Sequence, residues 1–220
     1  MIASNTDEKK LFEEMLAAAC HFGHGVSKWN PKMEPYIYAK RDGIHIFNIK
    51  KTATNLKRAL DFLRESAAAG KTILLVSTKL QATKLVFDAA TATGCSYVTR
   101  KWMPGLLTNF ETIQRRIKYF KDLKTNRESG EWEKYTKKER LEMSRAIQKL
   151  EDAFSGVEQM SKLPNIVVVF DSVRDALALR EARRLKITSV GVCDSNADPD
   201  LLTYPIPGND DAIKSLKFFI

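Results

Sequence analysis

Three runs, Thr72-Ile-Leu-Leu-Val-Ser77, Asn165-Ile-Val-Val-Val-Phe170 and Ile187-Thr-Ser-Val-Gly-Val192, are β-branched and apolar almost throughout. Strands buried on both faces of a parallel sheet read this way, whereas a half-exposed strand alternates. Between and around them lie stretches with helical spacing, about 55–69, 80–93 and 175–186. Strand and helix in turn is βαβ grammar, which predicts an open α/β sheet with helices on both faces. Cys95-Ser-Tyr-Val98 adds a short strand, and a helix over 209–219 closes the chain. Near the start, Tyr36-Ile-Tyr-Ala39 and Gly43-Ile-His-Ile-Phe47 flank Asp42-Gly43, a pair suited to a hairpin turn.

Residues 106–162 break this grammar. Phe110, Ile113, Ile117 and Phe120 step by three or four, as do Met143, Ile147, Leu150, Phe154 and Val157. Each is a narrow apolar seam on a charged helix, the pattern of a two-helix coiled coil. Thr108 with Glu111, and Thr136 with Glu139, have capping-box spacing at the two helix starts. Thr125-Asn-Arg-Glu-Ser-Gly130 between them is turn chemistry. The expected organisation is an α/β domain, 1–105 plus 163–220, with a basic antiparallel hairpin, 106–162, inserted in it. Seams this short bury little alone, so a partner is expected to cover Tyr119 and Trp132.

The 220 residues suit one domain carrying an insertion, and 44% hydrophobic residues exclude a disordered chain. No apolar run approaches the ~18 residues of a membrane span, and the first ten residues lack the order of a secretory signal. Three scattered cysteines, Cys20, Cys95 and Cys193, encode neither a disulfide framework nor a zinc finger. The reading is an intracellular, reduced protein. Its net charge of +9 is unevenly spread. Residues 100–149 hold 14 basic and 7 acidic side chains, while residues 150–220 hold 8 and 11. A concentrated cationic element recruits polyanions, nucleic acid first; a solvated helix face is the plainer alternative.

Enzyme motifs are sparse. The turn after the first central strand, Ser77-Thr-Lys-Leu-Gln81, has no glycine with which to admit a dinucleotide pyrophosphate. No serine sits in a nucleophile elbow. His21 and His24 have a spacing that can chelate zinc or magnesium, with Asp194 and Asp198 as candidate carboxylate ligands. Those aspartates follow a strand, where α/β sites lie, which keeps a metal-dependent hydrolase or phosphotransferase as the enzyme alternative. Packing and helix capping are the structural alternative. Lys28, Trp29 and Lys32 set cations beside an aromatic in a Gly- and Pro-containing loop, and Arg100-Lys101-Trp102 repeats the pairing. Cations neutralise phosphates while aromatic faces stack on bases. Arg115, Arg116, Lys118 and Lys121 follow along the first hairpin helix as candidate phosphate contacts.

A string of blocks runs in order over about 10–216: His21-Phe-Gly-His24, Lys28-Trp-Asn-Pro-Lys-Met33, Gly43-Ile-His-Ile46, Thr78-Lys79, Leu107-Thr-Asn-Phe110, Ala176–Leu185 and Asp198–Ile213. In these blocks the chain resembles the S-two family of bacterial small-subunit ribosomal proteins. The resemblance implies a flavodoxin- or Rossmann-like α/β domain without catalysis, carrying a coiled-coil hairpin. It also implies a cytoplasmic ribosomal location near the head–body junction, contacts to ribosomal RNA and neighbouring proteins, and help in recruiting the large first protein of the subunit. No cofactor is implied, and a bound zinc or magnesium ion is left as a candidate. Pro104, Thr188 and Ala197 depart from the family pattern, and the ending Phe218-Phe-Ile220 is shorter than usual. On this reading the cationic hairpin and N-terminal loops face RNA and the acidic C-terminal third does not.

Overall fold

A computed structural model describes residues 5–220 of the chain; the first residues of the expected signal-free N-terminus lie outside the described part. Among the described residues, eight strands form two sheets. The smaller is antiparallel, with β1 (Phe22–Gly25) and β2 (Ile37–Arg41) on either side of β3 (Ile44–Phe47). The turn between β2 and β3 is Asp42-Gly43, with φ of 51° and 76°. Positive φ at both positions matches the right-handed twist of the strands, as the residue pair predicts.

The larger sheet is parallel throughout, in the order β5 (Ser96–Val98), β4 (Ile73–Val76), β6 (Ile166–Val169), β7 (Thr188–Cys193), β8 (Tyr204–Pro207). All four β6 residues are buried. Val167 and Val169 join one core cluster and Ile166 and Val168 the other, so period-two alternation sends them to opposite faces. On one face lie α2 (Ile49–Ala68), α3 (Leu80–Thr93) and α7 (Ile213–Phe219), through Leu56, Ala59, Ala82, Val86 and Leu216. The other packs against α6 (Ala176–Arg184) and the small sheet's Phe47. The N-terminal helix α1 (Asn5–Ala17) packs beside α2, burying Met15 with Cys20 and Ala53. This is the doubly wound α/β architecture the runs imply.

Between β5 and β6, where one crossover helix would serve, the chain builds α4 (Phe110–Glu128) and α5 (Lys137–Phe154). Ile113, Ile117, Phe120 and Leu123 of α4 are buried with Ile147 and Phe154 of α5, and Met143 and Leu150 pack against them. Apolar positions read from the sequence pack α4 against α5. The seam does not stand alone. It runs without a break into Leu106, Leu107, Val157 and the sheet residues Leu74 and Val76. Trp132, expected to need a partner, is itself buried, whereas Tyr119 is 56% exposed.

Two helix starts and one strand differ from expectation. Helix α2 begins at Ile49, six residues earlier than read, because the Asn48 side chain caps it by accepting from the Lys50 and Lys51 amides. The last helix begins at Ile213 because Asn209 instead turns the chain, accepting from the amides of Asp211 and Ala212. β8 escapes notice in the sequence because it holds Pro205 and Pro207; it is an edge strand, where missing donors are tolerated. The Thr136–Glu139 capping box forms; the Thr108–Glu111 box does not.

Candidate nucleic-acid interface and the closed strand-end crevice

Ligands of doubly wound sheets bind outside the carboxyl ends of the strands, at the point where strand order reverses. Here that point lies between β4 and β6, and a lysine fills it. Lys79 follows β4 and reaches Asp171 after β6 at 3.0 Å, and Asp210 and Asp211 after β8 at 2.8 and 2.7 Å. Burial opposes its charge, but the hydrogen bonds to Asp210 and Asp211 outweigh this and hold its pKa above the usual lysine range. The turn itself is tied down by Asp175, which accepts from the Thr78 amide and hydroxyl at 3.1 and 2.8 Å. A turn without glycine that carries an internal cation is thus a crevice closed by the chain's own ion pairs.

His24 sits beside this network. Its Nδ1 lies 3.0 Å from Asp194 and its Nε2 3.3 Å from Asp211. The Asp194 hydrogen bond holds its pKa above the usual histidine value, against the effect of burial. Its backbone amide also donates to Asp194 and to the Ser195 hydroxyl, at 3.0 and 2.9 Å. Gly23 makes this approach possible, because a Cβ there would lie 3.0 Å from the Ser195 Oγ. One ligand atom each of His24, Asp194 and Asp210 fall within 4.8 Å of one another. Of the expected metal set the structure therefore joins His24 to Asp194 and adds Asp210. His21 stands apart, its Nδ1 buried without a partner among the described residues, and Asp198 is turned to Lys32.

The expected phosphate contacts divide into two groups. Lys32 is clamped by Asp198 and Asp200, both at 2.8 Å, and the Asp198 hydrogen bond leads in raising its pKa. Trp29 is half-buried against His45, ring centroids 5.6 Å apart, with the Lys40 ammonium 5.4 Å over its ring. Its aromatic face is used internally. Lys28 and Lys101 are exposed, and Arg100 lies 3.8 Å from Asp152. Along α4, Arg115, Arg116, Lys118 and Lys121 are all exposed, and none has a carboxylate within ion-pair distance among the described residues. Arg115, Lys118 and Lys121 border an open groove of about 550 Å³ between α4 and the segment after α5.

A sequence profile of the family described as Ribosomal protein S2 matches residues 15–220. The chain belongs to the ribosomal protein S2 family. Among its relatives, the small ribosomal subunit protein uS2c of Cyanophora paradoxa is 44% identical over 94% of this chain and 89% of the relative. Small ribosomal subunit protein uS2 of Roseiflexus sp. (strain RS-1) is 44% identical over 92% and 78%. The protein of the same name from Coprothermobacter proteolyticus is 44% identical over 93% and 76%.

Family membership directs attention to the joint that holds α4. Glu181 of α6 is buried and accepts from the Trp102 indole at 3.0 Å and from the amides of Gly105, Leu107 and Thr108 at 2.8, 3.0 and 3.1 Å. The Thr108 hydroxyl donates to it as well, at 3.2 Å, which is why Thr108 is not a helix cap. Burial works against the Glu181 charge, but these bonds prevail and lower its pKa. Sequence reading missed Lys79 and Glu181. The available signal for Lys79 was that polar residues follow the apolar runs at once: Ser77-Thr-Lys79, Asp171-Ser172 and Asp194-Ser195.

Proposed function

We propose that this ribosomal protein S2 family member binds the RNA of the small ribosomal subunit through the exposed face of α4. Its structural, non-enzymatic ribosomal role comes with the family. The observation that carries the RNA reading is the uncompensated set Arg115, Arg116, Lys118 and Lys121, beside a Lys32 that its own carboxylates neutralise. Free cations gain more from phosphate than paired ones, since no ion pair must first be broken. The reading includes a place near the head–body junction of the cytoplasmic ribosome and a hand in seating the large first protein. Tyr119 and Leu141, exposed on the two helices, offer apolar contacts to such a protein neighbour.

The test is charge reversal at Arg115 and Arg116, followed by sucrose-gradient fractionation at low and high salt. Co-sedimentation with the small subunit should weaken and lose part of its salt sensitivity. Unchanged incorporation would overturn the assignment of this face to RNA.

The expected divalent ion is also proposed, with His24, Asp194 and Asp210 as donors instead of the set containing His21 and Asp198. Four carboxylates surround Lys79 and His24, so negative charge is in excess. Burial and then the Asp171 and Asp194 charges push Asp210 up to about 7 despite the Lys79 contact. Zinc would take the place of the His24 proton. Equilibrium dialysis with zinc should show one bound ion, lost in His24→Gln; no retained zinc in the parent chain would refute it.

A further inference from the structure

Residues 150–220 carry more acid than base, yet their surface is cationic. Five of the eleven carboxylates in this third, Glu181 and Asp210 among them, are buried. The other six lie within 4 Å of cations supplied by earlier parts of the chain: Lys32, Lys79, Lys124 and Arg100. The basic side chains of the same third are not consumed in return. Arg180, Arg183, Arg184 and Lys186 are exposed at the end of α6 and just beyond it. None of the four has a carboxylate within 4 Å among the described residues.

One cation at a helix C-terminus is accounted for by the helix dipole. Four within seven residues are not. Arg180, Arg183 and Arg184 stand at i, i+3 and i+4, which places them on one side of the helix. Arg183 and Lys186 also line an open hollow of about 330 Å³ with Thr188, Ser189 and Thr203. Asp200 borders it too, with its carboxylate bound to Lys32 at 2.8 Å. Guanidinium forks beside hydroxyls suit the phosphates and riboses of a nucleic-acid backbone. Glu181, on the same helix, holds the loop leading into α4, so the cations of α6 and α4 share one rigid frame.

We infer that the end of α6, with Arg180, Arg183, Arg184 and Lys186, is a second RNA-backbone contact surface, separate from α4. The inference rests on the RNA reading proposed for the family member as a whole. It replaces the expectation that the C-terminal third turns away from RNA.

The test measures rebinding of the full chain to small subunits stripped of it, across a potassium chloride series. The variants are Arg180→Gln/Arg183→Gln/Arg184→Gln, the corresponding triple Lys substitution, and Arg115→Gln/Arg116→Gln. Each phosphate contact contributes about 0.7–0.9 to the log–log salt slope, so the Gln triple should lower it by about 2–3. The Lys triple should restore most of the slope. Circular dichroism checks that each variant is folded, and Arg183→Gln alone, with a loss near one contact, serves if the triple is not. A photoreactive group attached through Lys186→Cys should label RNA. An unchanged slope in the Gln triple, with a reduced one in the α4 pair, would overturn this surface and leave the α4 reading intact. No change in either would overturn both. Weaker rebinding with unchanged slope and labelling of protein alone would assign the surface to a protein neighbour and refute the RNA contact.

Discussion

The Trp102 indole N–H donates to Glu181 at 3.0 Å, and through this bond the start of the helical hairpin is fastened to α6. Three backbone amides and one hydroxyl converge on the same carboxylate, so the loop 102–108 wraps an anion supplied by the protein itself. Two helices joined to the sheet only at the chain's exit from β5 and its return to β6 would otherwise pivot. The Glu181 cradle, at the base of α4, and the segment after α5 where Gly156 meets Tyr97 of β5 together fix their direction.

Glu181→Gln should cost about 2–3 kcal/mol near neutral pH, the range for a hydrogen-bonded buried charge. The folded-state pKa of Glu181 lies below its ordinary value of 4.5. Its contribution is therefore present above about pH 4.5 and lost as pH falls through the folded pKa. Urea unfolding of parent and variant should show the full gap near pH 7 and a narrowing gap in more acid solution. A gap that stays constant on acidification would mean that the Glu181 charge is not what holds the joint.

His45 behaves in the opposite way to His24. It is 1% exposed, packs against Trp29, and among the described residues neither ring nitrogen has a hydrogen-bond partner. Burial, followed by the Lys40 charge, lowers its pKa below 6.5. Protonation then favours the unfolded chain, and stability declines as pH drops below about 6.5. His45→Phe should flatten the decline between about pH 7.5 and pH 5, and thermal unfolding at both values measures it. Parallel curves for parent and variant would show that His45 does not titrate on unfolding.

Gly156 should be intolerant of even one methyl group. A Cβ at this position collides with the Tyr97 carbonyl oxygen and ring, since the segment after α5 runs directly against β5. Gly156→Ala should cost on the order of 1–3 kcal/mol, as overpacking does. Each kcal/mol lowers Tm by about 2–4 °C at this chain length. An unaltered Tm would show that the hairpin's return can shift without loss.

Several features were legible before any coordinates. β6 and its neighbours announced a buried parallel sheet because alternation disappears when both faces are covered. Asp42-Gly43 specified its turn because both residues adopt positive φ at low cost. Thr136 with Glu139 specified a helix start because the whole interaction spans four residues. Thr108 with Glu111 has the same spacing and fails, because a carboxylate 73 residues away competes for the threonine.

The sequence by itself determined the fold class, the position of the inserted helices, the concentration of charge on α4 and the family. These depend on periodicity and on local backbone chemistry, which act over a few residues. Tertiary structure alone decided which charges remain free. Lys32 and Lys79 are spent on aspartates 90 or more positions distant, Glu181 on a loop, and most carboxylates of the C-terminal third on lysines from other segments. Coulomb attraction and burial operate through space, so a count of charges along the chain does not reveal their surface balance.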